Sequence, residues 1–174
     1  MALYGSLVET ALGATSNSYA SVAEADDYLD GIPTTYTTNW DAAGTTAEIK
    51  EDLLMWATRL LDTWVDWKGD KATTAQRLRW PRTNVSTPDG ETVDGATIPQ
   101  FLIEATTELA RQLLAKDLTK EPTRGISRLK TGDVDITFDV NGRQRRVLLK
   151  SVQAYIHPYG TIIEGTARRE AVRV

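Results

Sequence analysis

The one imidazole in the chain belongs to His157, within Tyr155-Ile-His-Pro-Tyr159. It stands beside an expected helix C-terminus, where a cation is favoured, so its expected role is structural. A single histidine excludes HExxH zinc chemistry and any site needing two imidazoles. There is no cysteine, which excludes disulfides, thiolate metal sites and cysteine nucleophiles. No GxSxG, Walker A or dinucleotide-binding pattern occurs, and Gly90 and Gly95 are not followed by Lys-Ser or Lys-Thr. Carboxylates remain. Asp26/Asp27 and Glu51/Asp52 are adjacent in sequence, so they diverge on a helix and read as solvated faces. Asp133, Asp135 and Asp139 alternate as on a strand and lack the glycine and terminal glutamate of an EF-hand. No catalytic residue, metal site or cofactor is expected, and no enzymatic activity.

Tryptophan is the other unusual feature: Trp40, Trp56, Trp64, Trp67 and Trp80. Aromatic platforms stack single-stranded bases, and Trp67-Lys68 and Arg79-Trp80-Pro-Arg82 set rings beside cations as such a site would need. Against this, Trp56, Trp64 and Trp67 share one helical stripe with Leu53 and Leu60, which predicts core packing. Trp80 precedes a proline outside that pattern and could anchor a long loop.

These residues must be positioned by helices. The spacing predicts a mainly α fold, a small helical bundle with a minor strand or hairpin element and extended N- and C-terminal arms. An arm over 1–20 precedes the helical domain, 21–160, and a tail over 161–174 follows it. Helices are expected at about 21–30, 46–67, 98–118 and 146–157, with a short candidate over 74–80. Ser21/Glu24 and Thr45/Glu48 have capping-box spacing. Ile49, Leu53, Trp56, Leu60, Trp64 and Trp67 form the strongest stripe. Strict alternation predicts a strand over 133–140, followed by a turn signal at Asn141-Gly142, while 119–132 reads as a linker.

Charge runs from acidic to basic along the chain. Residues 1–66 carry 2 basic and 11 acidic side chains, and residues 116–150 carry 9 basic and 5 acidic. The net charge is −4 and the pI about 5.1. The opening Met-Ala-Leu-Tyr-Gly has neither the basic stretch nor the apolar run of a secretory signal. No apolar run approaches the ~18 residues that would cross a bilayer. The expected setting is a cytosol, or a particle assembled in one, with no membrane partner.

Three sets of residues carry a resemblance. They are Asn17-Ser-Tyr-Ala-Ser-Val-Ala-Glu-Ala-Asp-Asp-Tyr-Leu29; Ala57-Thr-Arg-Leu-Leu-Asp62 with Trp67-Lys-Gly69; and Arg79-Trp-Pro-Arg-Thr83 with Ile98-Pro99 and Glu108-Leu-Ala110. In this order they resemble the DnaT-like single-stranded-DNA-binding proteins of phages and prophages, over roughly residues 16–160. They are also similar to the head-tail adaptor (head completion, connector) proteins of long-tailed phages. The adaptor resemblance implies a homo-oligomeric ring, commonly of twelve copies, in the virion at the head-tail junction, assembled in the bacterial cytoplasm. Its implied partners are the portal protein, a tail terminator or stopper (neck) protein, and genomic duplex DNA passing through without sequence-specific binding. Arg168, Arg169 and Arg173 in the tail are then the expected portal contacts, and Asp133, Asp135 and Asp139 the lumen-facing charges. An acidic pI disfavours phosphate binding, so the adaptor is the leading expectation and a single-stranded-DNA-binding or replication accessory protein the alternative.

Overall fold

The computed structural model describes residues 5–115, 128–131, 134–137 and 150–163. Among these the fold is mainly α with small two-stranded sheets. Helix α1, Val22–Asp30, starts on the expected capping box: Glu24 N donates to Ser21 Oγ and Ser21 N to Glu24 Oε2. After the single turn α2, Thr34–Thr37, comes α3, Ala47–Trp64. Its N-cap is Thr46, not Thr45, whose hydroxyl donates instead to Asn39 O.

The buried face of α3 is Leu54, Ala57, Thr58 and Leu61, with Met55 and Leu60 beside it. The stripe expected from the sequence is therefore rotated outward, leaving Leu53 and Trp64 half-buried. Two apolar rows run along this helix, and the row with smaller side chains lets neighbouring backbone approach more closely. The helix also ends earlier than 67. Val65 caps it, and β1, Val65–Trp67, follows as an extended segment rich in strand-forming residues. It pairs antiparallel with β6, Gly160–Ile162, in the register Val65↔Ile162 and Trp67↔Gly160. The first residues of the expected tail thus belong to the fold.

Strands β2, Asp70–Lys71, and β3, Arg82–Thr83, form a second pair. Gly69 opens it at a positive φ, and a Cβ there would collide with the Thr83 carbonyl. Between the two strands no helix forms over 74–80. Gln76 takes up the backbone instead: Thr73 N donates to its Oε1, at 2.9 Å, and its Nε2 donates to Leu78 O and Pro81 O. Side-chain bonds of this kind compete with helix formation.

Helix α4, Gln100–Ala115, packs on α3, and α5, Lys150–Ile156, packs on α4. Strand β4, Arg128–Thr131, pairs with β5, Val134–Thr137, so part of the expected linker is a strand. Asn141-Gly142 lies outside the described residues. The expected N-terminal arm is also corrected in part: residues 16–20 are all buried. Asn17 folds 6–17 back on itself by accepting from Val8 N and donating to Ser6 O, and Tyr19 N donates to Thr58 Oγ1 of α3.

Candidate nucleic-acid interface

A stretch free of acidic residues runs from Lys71 to Pro88 and carries Lys71, Arg77, Arg79 and Arg82. Lys68 stands just before it. Lys68, Lys71, Arg77 and Arg79 are exposed and Arg82 is half-buried. Two arrangements hold this segment in place.

The first lies beneath it. The Tyr19 hydroxyl donates to Asp62 and accepts from Trp80 N at 3.2 Å, while Asp62 Oδ2 accepts from Arg79 N at 3.2 Å. Burial pushes both groups up: Tyr19 well above the ordinary phenol, and Asp62 above the ordinary carboxylate despite its hydrogen bonds and the nearby charges of Arg79 and Lys71. The second is Arg82. Its guanidinium donates to the carbonyls of Lys68 (2.7 Å), Arg79 (3.2 Å), Trp67 and Gly69, tying both ends of the segment together. Burial lowers its pKa; Asp70 opposes that and the positive charge of Arg79 adds to it.

The other cations are anchored in the same manner. Lys68 Nζ donates to Pro158 O, Lys71 Nζ to Gln76 O, Arg77 Nη1 to Thr15 O and Arg79 Nη1 to Val65 O. A carbonyl fixes a cation without neutralising it. Among the described residues the ion pairs lie elsewhere, at Lys50–Asp26 and Arg111–Glu108. The outcome is a set of ordered positive charges with donors left for an anion.

The other candidates fall out differently. Trp67 and Trp80 are buried, at 5% and 1% exposed, and meet edge to face at 5.7 Å, so neither is a stacking platform. Trp80 does anchor its loop. Trp56, expected in the core, is 40% exposed. Asp26 is not a plain solvated acid, since it accepts from Trp40 Nε1 and Lys50 Nζ, both at 2.8 Å. His157 is exposed, just beyond α5, with its backbone N–H on Gln153 O. Arg168, Arg169, Arg173, Asp133 and Asp139 lie outside the described residues, and Asp135 sits in β5 opposite Lys130. No cluster of three or more potential metal ligands and no helix able to cross a membrane occurs among the described residues. In the sequence, Trp67-Lys68 and Arg79–Arg82 stand out for their rings beside cations, whereas the mark of this surface is the acid-free run of cations from Lys71 to Pro88.

No curated protein and no solved structure matches the chain. One family model matches residues 6–174, and it is not a model of head-tail adaptors. This overturns the adaptor reading, and with it the twelve-copy ring, the portal and tail partners and the passage of duplex DNA. The lumen and portal roles of the aspartates and tail arginines lose their premise. The chain belongs to the family of that model, described as "Putative DnaT-like ssDNA binding protein".

Proposed function

We propose that the protein binds single-stranded DNA, as a replication accessory, through the surface formed by Lys68, Lys71, Arg77, Arg79 and Arg82. The observation that carries this is the anchoring of these cations on carbonyl oxygens, which orders them while leaving their charge for phosphate. The acidic pI does not oppose it, because the excess of acid lies in residues 1–66. That excess repels phosphate from α1 and the start of α3 and confines binding to the 68–82 surface. The reading includes no catalysis. The carboxylates Asp62 and Glu108 are each committed to hydrogen bonds within the fold.

The test is titration of the purified chain with oligo-dT at several salt concentrations. Affinity is expected to fall as salt rises. Lys71→Gln together with Arg77→Gln is expected to lower the slope of log K against log salt by about 1.4, at about 0.7 for each lost phosphate contact. Binding that ignores salt, or a double variant identical to wild type in affinity and slope, overturns the reading.

A further inference from the structure

Resting on that reading, we infer that Trp56 stacks on an unpaired base of the strand held by the 68–82 surface, so that α3 supplies the preference for single-stranded over duplex DNA. Trp40, Trp67 and Trp80 are buried and Trp64 is half-buried, whereas Trp56 turns outward on α3. Ile49, seven residues earlier on the same stripe, is 39% exposed and extends the apolar strip. An aromatic face accepts any base, but only a base that is free of its partner and its own stack.

The placement ties this ring to the cations. Asp62, on the same helix, holds Arg79 N. It lies six residues beyond Trp56, which is about 9 Å along the axis and about 120° around it, at about 1.5 Å and about 100° per residue. A few successive nucleotides of one strand, passing Arg59, can span that path. Arg59 lies between them, one turn beyond Trp56 in an adjoining row, and is half-buried. On the other side of Trp56 stand Glu48, Glu51 and Asp52. The half of α3 before the ring is thus net acidic, its Lys50 being paired with Asp26, whereas beyond the ring Arg59 balances Asp62. A strand stacked on Trp56 is repelled from the helix N-terminal half and drawn toward Arg59 and the 68–82 surface.

The test compares wild type, Trp56→Ala, Trp56→Phe and Asp52→Asn for binding to oligo-dT and to a blunt duplex of equal length. Trp56→Ala is expected to weaken oligo-dT binding about tenfold, in the range that loss of one stacked base gives, and to leave duplex binding unchanged. Trp56→Phe keeps a stacking ring, so it retains affinity while losing most of the fluorescence quenching that oligo-dT causes in wild type. Asp52→Asn is expected to tighten oligo-dT binding. If Trp56→Ala fails to fold, the quenching difference between wild type and Trp56→Phe still decides. Wild-type affinity in Trp56→Ala, an equal loss on duplex, or undiminished quenching in Trp56→Phe overturns the inference and leaves the basic-surface reading standing. No binding by wild type overturns both.

Discussion

Trp80→Ala is expected to destabilise the fold by about 4 kcal/mol, the usual cost of deleting a buried indole. Trp80 is 1% exposed and lies edge-on to Trp67 and to Phe101, at 5.7 and 5.3 Å, while Phe101 stacks on Tyr159 beside β6. These four rings join the basic segment, α4 and the β1–β6 pair, so a cavity here loosens three elements at once. Urea denaturation followed by far-ultraviolet circular dichroism measures the loss. Trp80→Phe is the informative companion. The indole Nε1 of Trp80 is buried without a hydrogen-bond partner, so phenylalanine removes an unsatisfied donor along with some packing, and its cost should be well under half that of alanine. Equal costs for the two would show that the indole N–H contributes a bond after all.

Asp62→Ala is expected to cost about 2 kcal/mol, because it leaves the buried Tyr19 hydroxyl without its acceptor, at about 1–3 kcal/mol for an unsatisfied group, while the exposed Arg79 N turns to water. Tyr19→Phe should cost about 2 kcal/mol by leaving Asp62 and Trp80 N one partner short. The two changes share a network, so their double variant should fall short of additivity. The pH dependence separates Asp62 from an ordinary surface acid. Burial raises its pKa in the folded chain above the ordinary 3.8. Its protonated form therefore favours the fold fully below that value, and the contribution is lost as pH rises through the folded pKa. Glu108 runs the other way. Burial pushes it up, but the Arg111 guanidinium, Gln112 Nε2 and Ser151 Oγ prevail and hold it below the ordinary 4.5. Its contribution is present above that value and is lost as pH falls. Asp62→Asn should accordingly gain on wild type as pH rises from 3 to 7, read as the difference in urea midpoint. A difference that stays flat with pH would place Asp62 in solvent.

The helices were legible because periodicity, caps and breakers agree locally. Ser21 and Glu24 sit at capping-box spacing and form it, and Pro99 stands just ahead of α4. The buried face of α3 was not legible in the same manner. Ile49, Leu53, Trp56 and Leu60 are larger than Leu54, Ala57, Thr58 and Leu61, and a hydrophobic count favours the larger row. What decides between them is the neighbour, and Tyr19 N reaches Thr58 from far along the chain. The place of Asp62 is illegible for the same reason: a carboxylate among apolar residues gives no hint of a tyrosine waiting for it. Residues 74–80 have helical composition, yet Gln76 satisfies the local backbone from the side. The cations of the candidate interface were visible as residue types. Their anchoring was not, since every carbonyl that holds them lies on backbone whose path only the fold determines.

The β1–β6 ladder joins Val65–Trp67 to Gly160–Ile162 with no room to spare, since a Cβ on Gly160 would lie 2.7 Å from Val65 Cγ1 and 3.0 Å from Asp66 O. During translation the helices up to α4 can collapse while one edge of β1 still faces water. That edge is sealed only when Gly160 clears the ribosome. Until then a nascent chain presents an open strand edge next to Trp64 and Trp67, where another chain could pair. Chaperone dependence of the nascent polypeptide should therefore hinge on Gly160–Ile162 more than on the helices.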